Sequence, residues 1–469
     1  MPLLQTKKQR SNRNSLIRLI LESPTRLIVI SFVAMILIGT GLLMLPLASR
    51  HDPTPFFTSL FTATSATCVT GLVLVDTGSH FSQFGQAVIL MLIQIGGLGL
   101  ATVTTFFFSA LSKSRSWKLL SLERETTSLE GSLNPMRLLR FIMRFTLIAE
   151  ATGAAIFIWR FWPRYGSGAV WRGIFQSVSA FCNAGFDLFG TPAKPFDSLT
   201  RFNDDPIVLI TTALLVISGG LGFIVWREIL SRKRTASQLF HVRLVLILTL
   251  SALAGGTLFF WLVERTNENV GAMGLLPASQ QPLAAFFQSV TTRTAGFNSV
   301  NQATLSESSR FVSSILMFIG ASPAGTGGGI KLTTFAVVLA VAVNGLRPER
   351  KPQLGKHQLN RLVALRAFAI FSLSLVLVIV STLFVSIIEQ HFQTNIDVNF
   401  LNYLFEVSSA FGTVGLSAVG TPSLHTASQV VLVLLMFIGR VGPASFAIAL
   451  MRREHKPDIV LPEGHVIVG

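Results

Sequence analysis

The feature that most constrains this chain is a motif that occurs four times, an apolar run rich in Ser, Thr and Ala that ends in glycine followed by Leu or Phe. The four glycines follow one another at nearly equal intervals. They are Gly71, Gly185, Gly296 and Gly415. A near-constant internal period is typical of a repeated structural unit, so the sequence predicts four copies of one unit.

The composition indicates that these units lie in a lipid bilayer. Half of the 469 residues are hydrophobic and 13% are charged, whereas soluble domains carry roughly a quarter of charged residues. The two cysteines, Cys68 and Cys182, give neither a disulfide framework nor a metal-ligand spacing. Each lies three residues before a repeat glycine, where we expect a small side chain packed in a tight turn.

The net charge of +16 is unevenly distributed. Five polar stretches hold 27 Lys and Arg against 9 Asp and Glu, and the alternating stretches 50–80, 160–205, 264–310 and 389–429 hold 9 basic and 12 acidic residues. The basic stretches are 1–26, 113–144, 227–243, 347–366 and 452–469. This alternation argues against a nucleic-acid partner, and the positive-inside rule makes the basic side cytoplasmic, with both termini there. We expect a multi-pass protein of the plasma (inner) membrane without a cleaved signal peptide.

Eight apolar runs are long enough to cross a membrane, which takes about 20 residues. They are 27–49, 82–112, 141–162, 206–226, 244–263, 311–346, 367–388 and 428–451. Four shorter runs, each just before a glycine, have the length of re-entrant pieces. They are 55–67, 169–181, 282–292 and 398–411.

These runs predict an all-α integral membrane protein of four tandem helix–pore loop–helix repeats around a pseudo-fourfold axis, with eight spanning helices. The repeats cover 1–112, 113–235, 236–346 and 347–469. Non-helical backbone at membrane depth survives only where it lines a cavity or is buried in protein. Four returns in one chain therefore predict one pore between them, and a bundle with four tight turns and no pore is the alternative.

The chemistry of the four motifs favours an alkali cation. A ring of backbone carbonyl oxygens can replace the hydration shell of such an ion, and the negative ends of the preceding helices favour a cation as well. The side chains form neither an acidic ring nor an arginine ring. The predicted ion-binding residues are Val69, Thr70, Gly71, Asn183, Ala184, Gly185, Thr294, Ala295, Gly296, Thr413, Val414 and Gly415.

In each repeat we call the long run before the glycine motif the outer run and the long run after it the inner run. The third inner run, 311–346, contains the segment least compatible with a helix. Pro323 and a cluster of glycines interrupt it, and proline alone costs about 3 kcal/mol in a helix interior. We expect this segment to unwind and to be the mobile element, since the other inner runs contain milder glycine clusters; close helix packing is the alternative role for its glycines. The residues concerned are Gly325, Thr326, Gly327, Gly328, Gly329 and Lys331.

Glu150, Lys331 and Arg440 lie inside apolar runs, and Arg293 lies in the third glycine motif. Arg440 is expensive at that depth, so it is expected to face the cavity below the carbonyl ring or to cap carbonyl groups of the broken helix. Arg293 is expected to be a structural donor behind the ring. Glu150 is expected to be structural, either paired or protonated within the second repeat.

The pieces Thr-Gly-Leu at 70–72, Arg-Thr-Ala-Gly-Phe-Asn at 293–298 and Phe-Gly-Thr-Val-Gly-Leu-Ser at 411–417 resemble the Trk/Ktr/HKT superfamily of potassium transporters. The resemblance covers essentially the whole chain. The residues 462–469 and the lack of an additional amino-terminal helix pair are closest to KtrB-type membrane subunits of bacterial Ktr systems, and Trk-type subunits are the nearest alternative.

This resemblance implies that the four glycines belong to a potassium filter, since Gly71 is not the serine associated with sodium-preferring plant members. It also implies that the broken segment and Arg440 gate the pore. K+ would be the transported ion and Na+ a candidate activator. The implied partners are a second membrane subunit in a homodimer and a cytoplasmic ring of nucleotide-binding, KtrA-like RCK subunits.

Two other classes are disfavoured by the residues themselves. A secondary transporter with broken helices is built from two repeats, whereas this chain has four motifs. A membrane enzyme needs clustered His, Asp or Cys at membrane depth, and the eight histidines are scattered. No segment has the glycine-rich strand-to-helix fingerprint of a nucleotide site, so we expect neither a bound cofactor nor an enzyme.

Overall fold

The structure is a computed structural model, and it describes residues 24–99, 135–231, 236–345, 353–355, 357–392, 398–443 and 446. The amino-terminal residues to 23, most of the basic stretch 113–144 and the stretch 452–469 lie outside the described residues. So do the ends of the predicted runs 82–112 and 428–451. All four glycine motifs and the whole of the predicted mobile element are described.

The described residues are mainly helical, and the helices recur in four sets. The first set is α1 (Pro24–Leu43), α2 (Phe56–Cys68), the one-turn α3 (Thr77–His80) and α4 (Gln83–Leu98). The second is α5 (Pro135–Tyr165), α6 (Gly168–Phe181), α7 (Pro206–Gly220) and α8 (Phe223–Leu230). The third is α9 (Ala236–Glu264), α10 (Gln281–Thr291), α11 (Glu307–Phe318) and α12 (Leu332–Gly345). The fourth is α13 (Arg361–Phe392), α14 (Phe400–Gly412) and α15 (Thr426–Val441).

Between α12 and α13 lies a small antiparallel hairpin, whose strands are β1 (Gln353–Leu354) and β2 (His357–Gln358). It falls within the predicted cytoplasmic stretch 347–366.

Three of the described helices are long and apolar enough to cross a bilayer, over Arg137–Tyr165, Leu239–Glu264 and Arg361–Phe392. The chain bends by 94° between α7 and α8. If these two helices count as one span, there are four crossings among the described residues. The predicted run 206–226 is therefore not one straight helix. Helices α1, α4, α12 and α15 are apolar but shorter, so the number of eight crossings stays a prediction.

The long helices turn large apolar side chains outward. Leu147 is 70% exposed, Ile148 66%, Leu250 64% and Leu365 57%. A soluble protein rarely presents apolar surface of this extent, whereas hydrocarbon solvates it without cost. The exposed faces of α5, α9 and α13 therefore fit a bilayer.

The four short helices α2, α6, α10 and α14 begin and end within two residues of the predicted re-entrant runs. Most of their residues are buried, since they pack against the other helices instead of lipid. Just after each of them one non-glycine residue has a left-handed backbone, which costs of order 1–3 kcal/mol and persists only where surrounding contacts impose it. These residues are Val69, Asn183, Thr294 and Thr413, with φ of 57, 59, 69 and 50°.

The glycine that follows each left-handed turn packs against the next motif, in an order that closes on itself. A Cβ added to any of these glycines would collide with the carbonyl oxygen of the residue before the next glycine. The pairs are Gly71 with Ala184, Gly185 with Ala295, Gly296 with Val414, and Gly415 with Thr70. All four glycines have positive φ, which a side chain would oppose. Residues 69–71, 183–185, 294–296 and 413–415 thus form one closed structure, here called the glycine ring.

The inner helices of the first, second and fourth sets, α4, α7 and α15, pack directly on the end of the short helix of their own set. In each, a glycine contacts a carbonyl oxygen so closely that a Cβ would not fit. The pairs are Gly96 with Thr67, Gly219 with Phe181, and Gly439 with Phe411. Three residues after each of these glycines, the backbone leaves the helix at a second glycine, which has positive φ. These second glycines are Gly99, Gly222 and Gly442.

The third set is different. Helix α11 ends at Phe318 and α12 begins at Leu332, and the chain between them, 319–331, contains no helix. The predicted unwinding is therefore confirmed. We call residues 319–331 the broken segment.

Candidate functional site

All twelve residues predicted to bind the ion lie in the glycine ring. Their non-glycine side chains are buried, with at most 1% of their surface exposed. None of them carries a charge. That these residues bind an ion stays a prediction.

A serine near the end of the short helix shapes the turn in the first and fourth motifs. The backbone oxygen of Ser65 accepts a hydrogen bond from the Thr70 amide at 2.8 Å, and its Oγ accepts one from the Gly71 amide at 3.0 Å. Ser409 accepts from the Gly415 amide in the same way, at 3.1 Å. Because these amides are satisfied by the helix behind them, the strand is left free to present its carbonyl groups elsewhere.

In the second and third motifs a hydroxyl near the end of the short helix donates instead. Ser179 Oγ donates to the carbonyl oxygen of Phe186 at 2.6 Å. Thr291 Oγ1 donates to that of Phe297 at 2.8 Å. In all four motifs, a hydroxyl from the short helix therefore fixes the strand that contains the glycine.

The atoms that meet between neighbouring motifs are backbone carbonyl oxygens, those of Thr70, Ala184, Ala295 and Val414. The hydroxyls of Thr70 and Thr413 add oxygen atoms that have no hydrogen-bond partner among the described residues. The four short helices end at this ring, so their negative dipole ends lie close to it. Uncharged oxygens in a closed ring suit a partly dehydrated alkali cation.

The broken segment is held by backbone groups that the bend after α7 sets free. The Thr326 amide donates to the carbonyl oxygen of Gly219 at 3.1 Å, and the Ser322 amide donates to that of Gly220 at 3.1 Å. Because α7 ends at Gly220, these oxygens have no partner in the next helical turn. The break in one inner helix therefore supplies the acceptors that hold the other.

Three consecutive residues of the broken segment lie against the left-handed residues of three motifs. The hydrogen bonds of the Asn183 side chain are satisfied when its amide nitrogen donates to Thr326 Oγ1 at 3.0 Å. The two glycines after Thr326 lie so close to threonine hydroxyls that an added Cβ would collide with them. The pairs are Thr326 with Asn183, Gly327 with Thr294, and Gly328 with Thr413. The segment thus covers the ring at the end where the short helices stop, which we call its inner end.

Two cations hold the broken segment in place. Arg440, near the end of α15, donates to the carbonyl oxygen of Thr326 and to that of Gly97 in α4, the latter at 3.2 Å. Lys331 Nζ donates to the carbonyl oxygen of Gly327 at 2.7 Å. Of the two roles expected for Arg440, the capping of carbonyl groups in the broken helix is therefore observed.

Comparison with known proteins identifies the family of the chain. The model of the TrkH family, described as cation transport protein, matches residues 3–458. The chain belongs to this family. A solved crystal structure of the potassium transporter TrkH from Vibrio parahaemolyticus covers 92% of this chain and 85% of that one with a TM-score of 0.69. At 15% sequence identity, that likeness shows a shared fold.

Two curated relatives of this TrkH-family chain are similar over nearly their whole length. The Ktr system potassium uptake protein B of Bacillus subtilis is 36% identical over 458 residues, which cover 97% of this chain and 99% of the relative. The potassium/sodium uptake protein NtpJ of Enterococcus hirae is 35% identical over 452 residues, which cover 95% of this chain and 97% of the relative.

The other residues singled out in the sequence of this TrkH-family member have structural contacts. Cys68 and Cys182 are buried and unpaired with each other. Arg293 is 8% exposed and donates to the carbonyl oxygen of Thr249 in α9 at 3.3 Å, which agrees with a donor behind the ring. The Glu150 carboxylate lies 3.9 Å from Cys182 Sγ, within the second repeat as expected.

Sequence reasoning missed a carboxylate outside the spanning segments. Asp187 lies two residues beyond Gly185, where burial raises its pKa to about 7 and hydrogen bonds from the Phe189 amide and Ser198 oppose that rise. The negative charge of Asp76 adds to it. The available signal was the position itself, since Asp187 directly follows the Gly-Phe pair of the second motif.

Proposed function

We propose that this chain is the pore-forming, ion-translocating subunit of a potassium uptake system. The observation that carries the proposal is the closed ring of four carbonyl-bearing motifs in a single chain. It is supported by the names of the relatives from Bacillus subtilis and Enterococcus hirae, both of which are uptake proteins for potassium. In this proposal K+ passes through the glycine ring, and its hydration shell is replaced by backbone oxygens.

Gating is assigned to the broken segment together with Arg440. Thr326, Gly327 and Gly328 lie against the inner end of the ring, so an ion cannot leave the ring on that side until the segment moves. The guanidinium at the same end repels a cation and also fastens the segment to α4 and α15.

The assembly is proposed in the same terms. The four repeats 1–112, 113–235, 236–346 and 347–469 would give eight crossings, with both termini in the cytoplasm and the protein in the plasma membrane. Two membrane subunits would form a homodimer on a cytoplasmic ring of nucleotide-binding RCK subunits, with Na+ as activator. A relative named as a Ktr system protein supports a multi-subunit complex.

A sodium-transporting role is the second candidate, because one relative is named as a potassium/sodium uptake protein. The two candidates differ in which ion competes effectively for entry.

The test is ion uptake into liposomes that contain only this chain, with K+ and Na+ offered singly and together. Potassium uptake that a tenfold excess of Na+ leaves largely intact supports the potassium role. Equal uptake of both ions favours the second candidate, and no uptake of either ion contradicts both. The control is Gly296→Val, whose side chain would collide with the backbones of Gly185 and Gly415 and should abolish uptake.

A further inference from the structure

Each short helix carries one buried polar residue at the same place, three positions before the hydroxyl that fixes the glycine strand. These residues are 0–1% exposed. They are Thr62, Gln176, Gln288 and Glu406. A buried polar group without a partner is costly, so the contacts of these four residues indicate what each one does.

Two of the four have no hydrogen-bond partner among the described residues, namely the hydroxyl of Thr62 and both amide atoms of Gln176. Gln288 pairs with Gln302, Nε2 to Oε1 at 2.8 Å and the reverse at 3.0 Å. Gln302 in turn donates to the carbonyl oxygen of Val300 at 3.0 Å. The third motif is therefore tied to its short helix through an intermediate side chain.

Glu406 contacts the strand of the fourth motif directly. Its Oε1 accepts hydrogen bonds from Ser417 Oγ at 3.0 Å and from Thr421 Oγ1 at 2.6 Å. Ser417 lies two residues beyond Gly415. One carboxyl oxygen thus accepts from two hydroxyls of the outgoing strand, so Glu406 fixes the strand where it leaves the ring.

The attachment continues into the inner helix. The Gln429 side chain, in α15, donates to the carbonyl oxygen of Thr421 at 3.3 Å and to that of Leu424 at 2.9 Å. Glu406 is therefore the centre of a connection from the short helix α14 through the outgoing strand to α15. The other carboxylate oxygen, Oε2, has no partner among the described residues.

We propose that Glu406 is a positioning residue for ion selection, which acts through Ser417 and Thr421 to hold the outer end of the fourth motif at a fixed distance from the other three. This inference rests on the proposed function. A ring that cannot contract fits K+ and leaves Na+ poorly coordinated, whereas a loosened strand lets the oxygens close around the smaller ion.

The experiment measures the half-saturating K+ concentration and the inhibition by Na+ in liposomes, for the parent chain and for five variants. Glu406→Ala removes the acceptor, and we expect the half-saturating K+ concentration to rise about tenfold and Na+ to compete about tenfold better, since a buried bond of this kind corresponds to about one decade. Ser417→Ala should give a smaller change in the same direction, about threefold. Adding Ser417→Ala to Glu406→Ala should have no further effect.

Two variants separate hydrogen bonding from general disturbance. Glu406→Gln keeps an oxygen where the two hydroxyls donate and should stay within about twofold of the parent. Thr62→Val is the matched control, since it changes the equivalent residue of the first short helix, whose hydroxyl has no partner among the described residues. It should behave like the parent.

The proposal is overturned if Glu406→Ala keeps the parent's K+ and Na+ values, or if Thr62→Val shifts them as much as Glu406→Ala does. Should Glu406→Ala fail to fold, Ser417→Ala and Thr421→Val remove the same bonds from the strand side. The midpoint of thermal unfolding as a function of K+ and of Na+ gives the same comparison without transport. A parent chain that moves no ion therefore contradicts the proposed function alone, and the unfolding midpoints still decide on Glu406.

Discussion

The four motifs of the glycine ring are nearly alike, whereas the four segments that follow them are not. In every motif a short helix, a left-handed residue and a glycine occur in the same order, and each glycine contacts its neighbour in the same way. In the first, second and fourth sets, the inner helix packs a glycine on its own short helix. In the third set, the chain is broken over residues 319–331.

This difference separates two tasks. In the proposed function, a ring that surrounds one ion needs equal contributions from all sides, which agrees with the shared backbone geometry of the motifs. A barrier across the inner end can come from one side only, which agrees with a single irregular segment held by Arg440. Changes in the ring should therefore alter which ion passes, and changes in the broken segment should alter how much passes.

The largest effect is expected from shortening the broken segment. Removal of residues 325–329 deletes the contacts with three motifs and the acceptor of Lys331. The closed state then loses several hydrogen bonds of about 1 kcal/mol each, so potassium flux without any partner protein should rise about a hundredfold. Liposome uptake measures this, and the preference for K+ over Na+ should stay as in the parent. Unchanged flux, or increased flux with lost preference, contradicts the separation.

Arg440→Gln should have the next largest effect. The variant loses the charge and most of the bonds to Thr326 and Gly97, and charge-assisted bonds of this kind contribute about 1.5–3 kcal/mol, so flux should rise about tenfold or more. Arg440→Lys keeps the charge with fewer donors and should lie between the parent and Arg440→Gln. If both variants raise flux equally, the geometry of the guanidinium matters and its charge does not.

In the ring, Gly71→Ser should change selection and leave the barrier intact. Gly71 has φ of 91°, and a Cβ there would lie 2.5 Å from the carbonyl oxygen of Ala184. The strained ring should discriminate against Na+ about fivefold less, since left-handed backbone with a side chain costs about 1–2 kcal/mol. Ion-competition curves measure the change. Gly41→Ser, where nothing lies within 4 Å of an added Cβ, is the matched control, and identical curves for both variants refute the prediction.

The smallest effect concerns pH at the outer side of the ring. The pKa of Asp187 is about 7 because the group is buried, so lowering the pH from about 8 to 6 removes its negative charge, and the half-saturating K+ concentration should rise about twofold. The unfolded chain keeps a pKa near 3.9, so between about pH 4 and 7 the folded protein binds more protons than the unfolded one. The contribution of this group to stability therefore falls as pH rises through that window. Asp187→Asn should abolish the pH dependence of uptake over this range.

Much of the ring was predictable because it depends on local signals. The glycines and the ends of the short helices follow from apolar runs interrupted at fixed positions, and the predicted bounds of these helices agree within two residues. The left-handed backbone of Val69, Asn183, Thr294 and Thr413 was not predicted, since valine and threonine side chains give no signal for it. The contacts of Thr326 with Asn183 and of Arg440 with Gly97 join residues far apart in the chain. Their partners depend on how four repeats close around an axis, and a single sequence does not contain that information.

The bend after α7 also escaped prediction, since 206–226 is apolar throughout and nothing in its composition requires an angle of 94°. The bend follows from Gly222, whose backbone has positive φ and approaches the carbonyl oxygen of Pro323 in the broken segment. A milder glycine cluster in this run was visible in the sequence, but the bend depends on contact with the broken segment, whose proline and five glycines were the stronger signal.

The broken segment continues without a linker into α12, which begins at Leu332 directly after Lys331. Helix α12 is thus coupled directly to the broken segment. A protein or ligand that displaces the far end of α12 would also displace Gly327 and Gly328, without any contact with the ring. Moving such a barrier from 1% to 99% open takes about 5.5 kcal/mol of differential binding. Under the proposed gating, a regulator that binds α12 or the hairpin after it would have to supply that difference in binding free energy.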